Sequence, residues 1–281
     1  MSPEKINKKT EKLISYGSKA VGITTSALLT SLTENPEIQI GAKLVGGMIP
    51  QVLNDVFSRF LSKREEIKIG MVVNYCSKYI NDNLNKNHLF NNNFIELIKE
   101  SEADWSTASE LYEGVLLKAK NESQEKKIKH IGAIFGNSIF TDEITSDDVF
   151  HLLNVVENLT YRKLCIIAMY GRIDELKDKY DLMVDSYLWY DNIEFPLSTR
   201  ATLQDIFELG NQGIVDFNSS LAVEHLHLNP GKFKLTKLGQ KYLQMMDLKS
   251  IENYELKKII ESIEYKESYG LSSQGTRNGR R

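Results

Sequence analysis

The stretch from residue 208 to residue 246 constrains the fold most, because its pattern of apolar and turn residues changes type several times within a short length. It starts on the end of a leucine-containing helix, which Ser198 opens, and continues through a Gly turn. Three short strands are predicted, at Ile214–Phe217, Ala222–Leu228 and Phe233–Leu235. Asn229-Pro-Gly-Lys is a hairpin turn sequence, and Thr236 opens a second amphipathic helix. The stretch therefore predicts a small α+β module.

The order helix, strand, hairpin, helix resembles a winged helix from its recognition helix onward, and the resemblance covers residues 198–247. In winged helices that bind DNA, the helix before the hairpin enters the major groove and basic side chains contact phosphates. The residues at such positions here are Arg200, Lys232, Lys234 and Lys237. A DNA-binding regulator that uses these four residues is thus one hypothesis for the function.

The charge around this module favours a different partner. Residues 147–247 contain fifteen acidic and ten basic residues, and the helix that carries Arg200 also carries Asp205 and Glu208. Phosphate contacts supply most non-specific affinity for nucleic acid, and a surface with a net negative charge repels a duplex. We therefore expect a winged-helix-like module that docks against protein, with DNA binding as the alternative.

The N-terminal region combines a basic segment with small and apolar residues. Apolar residues between Ile38 and Leu61 come in pairs four positions apart, which predicts a helical stripe. Gly46-Gly47 followed by Pro50 indicates two helices that meet near residues 46–50. The residues expected to mediate self-association or membrane contact are Ala42, Gly46, Gly47, Val52, Val56, Phe57 and Phe60. For the membrane, however, the favoured interpretation is a buried, closely packed helical hairpin, with membrane association as the alternative, because the apolar stretches fall short of the ~18–20 residues that span a bilayer.

The rest of the chain is patterned for helices. We expect a mainly α protein, with helical N-terminal and middle regions followed by the winged-helix-like module with its small β-hairpin. The predicted division has four parts, 1–84, 94–145, 146–248 and 249–281. Gly132 and Gly136 lie four apart in an amphipathic helix, where they are expected to permit close helix packing.

No motif in the sequence specifies a reaction. A P-loop, a dinucleotide fingerprint, a nucleophile elbow and an HExxH motif are all missing. Cys76 and Cys165 lie in apolar patterns and are predicted to be small buried residues. His225 and His227 share one face of a predicted strand without a third ligand for a metal. We expect a protein without enzymatic activity, cofactor, metal or small-molecule substrate, located in the cytoplasm or at the inner face of the membrane.

Three stretches connect this layout to a known group of proteins: Leu111–Lys120, Asn158–Ala168 and Leu235–Gly239. With the small-residue N-terminal region and the winged-helix-like end, they make the chain resemble the abortive-infection alpha family of bacterial proteins. The resemblance implies a role in defence against phage and carries no catalytic residues over. The leading hypothesis is an interaction protein that acts through a protein partner, self-association or a membrane surface.

Overall fold

The computed structural model describes residues 36–59, 61–99, 105–142, 144–176, 180, 196–217 and 230–264, with the side chains of the first helix described from residue 44. These residues form eleven α-helices and one two-stranded antiparallel sheet near the C-terminus. The fold is therefore mainly helical, as predicted. Contacts divide the chain into two compact units, Met1–Thr160 and Tyr161–Arg281, here called the N-terminal and C-terminal units.

The described part of the N-terminal unit consists of helices linked by short segments. They are α1 (Pro36–Ser58), α2 (Lys63–Asn85), α3 (Asn92–Lys99), α4 (Thr107–Asn121), α5 (Ile128–Ser138) and α6 (Ser146–Asn158). Two of the starts are capping boxes, in which Ser62 with Glu65 and Thr145 with Asp148 satisfy the first backbone amides of α2 and α6. Helix α4 lies at the centre, in contact with α1, α2, α3, α5 and α6.

Helices α2 and α5 pack closely because α5 presents two glycines to the backbone of α2. A Cβ added to Gly132 would lie 2.7 Å from Cβ of Tyr75, and one added to Gly136 would lie 2.5 Å from Cβ of Tyr79. Both would also lie 3.2 Å from backbone atoms of Cys76. The expectation that these glycines permit close helix packing is confirmed.

Two buried lysines close the ends of helices in this unit. Lys68 Nζ donates to the carbonyl oxygens of Glu122, at 2.5 Å, and Lys120, at 3.3 Å, where α4 ends. Lys127 Nζ lies 2.7 Å from the Glu122 carboxylate and donates to the Glu157 carbonyl at 3.1 Å, where α6 ends. The last carbonyls of a helix have no partner within it, and a cation there also interacts favourably with the helix dipole.

Helix α1 differs from the prediction. Residues 36–58 form one continuous helix with Pro50 inside it, not two helices that meet at residues 46–50. A proline inside a helix costs about 3 kcal/mol, because its ring removes a hydrogen bond and collides with the carbonyl four residues earlier. The cost is exceeded because α1 buries Val45, Met48, Ile49, Val52, Leu53, Val56 and Phe57. Each large apolar side chain contributes about 1.5–3 kcal/mol on full burial.

The C-terminal unit mixes helices with the small sheet. Its elements are α7 (Tyr161–Tyr170), α8 (Ile173–Leu176), α9 (Leu197–Asn211), β1 (Val215–Asp216), β2 (Lys234–Leu235), α10 (Lys237–Met245) and α11 (Asn253–Ile263). Strand β1 pairs with β2, with Val215 opposite Leu235 and Asp216 opposite Lys234. The first and last predicted strands are thus found in shortened form and paired with each other. The strand predicted at 222–228 lies outside the described residues, and Pro230–Lys232 forms a 3-10 turn.

The division between the units lies after Thr160, whereas the sequence predicted a boundary at residue 146. Helix α6 accounts for the difference, because it packs on α4 and α5 of the N-terminal unit. The cap at Thr145 shows only that a helix starts there, and a helix start carries no information about which neighbours cover its apolar face.

We expect Gly136→Ala to lower the free energy of unfolding by about 1–3 kcal/mol, because the new methyl group overpacks the contact between α5 and α2. Chemical denaturation of the purified protein measures the change. Gly114→Ala is the control, since its Cβ would lie 3.7 Å from Cδ1 of Leu153, an ordinary contact. That control should gain up to about 1 kcal/mol of helix propensity. Equal effects of the two substitutions would contradict the packing argument.

Candidate macromolecule-binding surface

A run of lysines with no acidic residue between them in the sequence marks the C-terminal unit. Residues 230–246 contain four lysines and neither Asp nor Glu. We call Lys232, Lys234, Lys237 and Lys241 the basic surface. Lys232, Lys234 and Lys237 are exposed and Lys241 is half-buried. The structure therefore places three of the four residues predicted for nucleic-acid contact on one short segment.

Local folding holds these lysines outward. Phe233 and Leu235 on either side of Lys234 are buried, and alternate residues of a strand point to opposite faces. The Thr236 hydroxyl donates to the carbonyl of Gly213 at 2.6 Å and accepts from the amide of Gly239 at 3.0 Å, which starts α10. Lys237 and Lys241 lie one turn apart on that helix and so project from one side of it.

Aromatic rings connect this segment to α9. The centre of the Phe217 ring lies 4.9 Å from that of Phe233, the residue between Lys232 and Lys234 in the sequence. The Phe217 ring also stacks on the Phe207 ring of α9, with 6.4 Å between the ring centres and an interplanar angle of 12°. Arg200 precedes Phe207 by seven residues, two helical turns, so both lie on the same side of α9. The exposed Arg200 is thus on the side of α9 that faces the aromatic rings under the basic surface.

The acidic residues of α9 have basic partners on α7. Arg162 Nε donates to the Asp205 carboxylate, and Lys163 Nζ donates to the Glu208 carboxylate. The Gln204 amide also donates to Glu208, at 3.0 Å. The hydrogen bond from Lys163 is the main cause that lowers the pKa of Glu208 below its ordinary value, followed by the bond from Gln204. Sequence reasoning weighed these two acids only against Arg200 of the same helix, because their partners lie 43 and 45 residues away in the chain.

The division into units also changes the charge count. Residues 147–247, which gave a net negative charge, include Asp147, Asp148 and Glu157, and these three acids lie on α6 in the N-terminal unit. Residues 161–281 contain 17 basic and 17 acidic residues, whereas residues 1–160 contain 18 and 21. The C-terminal unit thus has a balanced charge with its lysines concentrated in one segment, and Lys234 has Asp216 opposite it in the sheet.

The exposure of five of the seven N-terminal residues expected to mediate self-association or membrane contact is described, and three of these five are buried. Val52, Val56 and Phe57 are buried inside the N-terminal unit. Gly46 is half-buried and Gly47 exposed, the side chain of Ala42 is not described, and Phe60 lies outside the described residues. None of the helices in the described ranges combines the length and apolar character needed to cross a membrane.

The remaining candidates for reactive or metal-binding residues are the two cysteines and the two histidines of the predicted strand. Cys76 and Cys165 are buried as predicted, and desolvation raises the pKa of the Cys76 thiol. His225 and His227 lie outside the described residues, and within the described ranges His, Cys, Asp and Glu form no cluster of three or more that could hold a metal ion.

Comparison with known proteins returned no family model, no curated protein and no solved structure that matches this chain. The role of the basic surface therefore has to be argued from its own chemistry.

We expect Glu208→Gln to lower the free energy of unfolding by about 0.5 kcal/mol at pH 7, the size typical of a partly exposed ion pair. The folded-state pKa of Glu208 is depressed, so its stabilising effect is present above the ordinary value of 4.5 and is lost as the pH falls through the lower folded-state pKa. The difference between wild type and variant should shrink below pH 4.5 in denaturation series. Glu175→Gln, at an exposed position of α8, is the control, and it gives the dependence of unfolding free energy on pH that follows from loss of one surface carboxylate. A pH-independent difference for Glu208→Gln would contradict the assignment.

Proposed function

We propose that the protein is a non-enzymatic interaction protein whose C-terminal unit binds a phosphate-bearing polymer, and that duplex DNA is its partner. The observation that carries the proposal is the basic surface, four lysines within a segment that contains neither Asp nor Glu and that includes the 3-10 turn, β2 and α10. In this proposal the C-terminal unit is winged-helix-like, with α9 as the helix that approaches the groove.

The polymer is favoured over an acidic protein patch because its charge is dense and regular. Duplex DNA carries one negative charge per ~1.7 Å of axis, and each phosphate neutralised by a lysine releases counterions. Lysines on flexible stems suit this contact, since a compact ammonium group needs no fixed planar geometry. Arg200 adds a cation from α9, where Asp205 and Glu208 already have basic partners.

Protein or membrane contact through the N-terminal apolar residues receives less support. Val52 and Val56 have no exposed surface and Phe57 is 6% exposed, so their apolar area is already used within the N-terminal unit. A partner could reach them only by unpacking α1 from α3 and α4.

A role in phage defence stays a prediction that the resemblance implies. Expression of the full chain in a bacterial host should lower the plating efficiency of at least one phage, and the basic-surface variant described below should lose this effect. Protection that is independent of the basic surface would separate the defence role from polymer binding.

Binding is tested by gel shift on random duplex DNA over a series of salt concentrations. We expect Lys234→Gln with Lys237→Gln to weaken binding, since two phosphate contacts are lost. The slope of log K against log salt should become less steep by about 1.8, or 0.9 per phosphate. Both changes remove charge at exposed positions and leave the buried Leu235 between them in place.

Lys63→Gln with Lys86→Gln is the matched control, because both lysines are exposed and belong to the N-terminal unit. The control should bind as wild type does. Absence of a shift for wild type at low salt would overturn the proposed function. Equal losses in both double variants would assign the binding to general charge and not to the basic surface.

A further inference from the structure

We infer that the ion pair between Lys163 and Glu208 sets the affinity of α9 for phosphate: Glu208 acts as a brake on binding, and Lys163 is a positioning residue that weakens this brake. The inference rests on the proposed binding of a phosphate polymer and adds a control element to the same site. Neither side chain is needed as a contact to the polymer.

The first step is the position of Glu208. Arg200, Gln204 and Glu208 are spaced four residues apart, so they form one stripe along α9. The stripe is ~12 Å long at 1.5 Å per residue. A phosphate that approaches the middle of the stripe, beside Gln204, lies within the Debye length of about 8–10 Å from both ends, so the Glu208 carboxylate and Arg200 act on it together.

The second step is the asymmetry of the two pairs between α7 and α9. In the pair with Lys163, the carboxylate is on the outside, with 40% of the Glu208 side chain exposed against 11% for Lys163. In the neighbouring pair the order is reversed, with 44% of the Arg162 side chain exposed against 10% for Asp205. Towards a partner, one pair therefore presents its cation and the other presents its anion.

The third step follows from this orientation. The anion that faces outward repels a phosphate, and the buried ammonium behind it cancels most of that field. Removal of Lys163 leaves the repulsion uncompensated, whereas removal of the Glu208 charge leaves an additional cation close to the surface. The two substitutions should therefore change DNA affinity in opposite directions, although each breaks the same ion pair.

The test is a charge cycle on the full chain, with duplex DNA as the probe in the gel shift described above. Glu208→Gln should bind about fivefold more tightly than wild type, and Lys163→Met about fivefold more weakly, the factor that corresponds to ~1 kcal/mol. The double variant Lys163→Met with Glu208→Gln should bind as wild type does, because its net charge is unchanged. Raising the salt concentration should shrink all three differences.

Loss of packing gives a different pattern. If the pair acts only on stability, both single variants bind more weakly or equally, and the double variant does not recover; that result overturns the inference. If Lys163→Met fails to fold, the test depends on Glu208→Gln alone. The inference is then overturned if Glu208→Gln binds DNA no more tightly than wild type does. Absence of binding by wild type at the lowest salt refutes the proposed function itself, which is a separate outcome.

Discussion

The close approach of α5 to α2 is the constraint on which the N-terminal unit depends. Gly132 and Gly136 let the two backbones meet where any side chain would collide with Tyr75, Tyr79 and the backbone of Cys76. Helix α4 can then touch both of them and still reach α1, α3 and α6. Large rings fill the space beside this contact, with Tyr112 and Phe135 at 4.8 Å. A wider separation of α2 and α5 would open a gap on the side of α4, where a packed core tolerates little void.

Much of the local structure could be predicted from the residues, because caps and periodic apolar positions act over a few residues. The cap at Thr236 is an example, and helical patterning along the rest of the chain predicted the mainly helical class. The continuous helix through Pro50 could not be predicted in the same way. A proline has a local cost that can be read from the sequence, whereas the burial that outweighs it depends on neighbours from α3 and α4.

The candidate surface shows the same limit in terms of charge. The lysines between Pro230 and Met246 could be recognised because they lie close together in the chain and have no acid between them. The acids of α9 were visible too, but their partners on α7 were not, since residues distant in sequence meet only after folding. A net charge summed along a window therefore describes a surface correctly only when the ion pairs inside it are local.

Lys68 and Lys127 give the molecule a chemical property apart from the helix ends that they close. Their exposure is only 8% and 3%, so the folded protein hides both amines from reagents that modify exposed lysines readily. Modification at Lys127 requires the ends of α4 and α6 to open, because its ammonium group contacts both. The rate at which an acylating reagent modifies Lys127 therefore reports the rate of local opening in the N-terminal unit, and mass spectrometry can follow it without any introduced label.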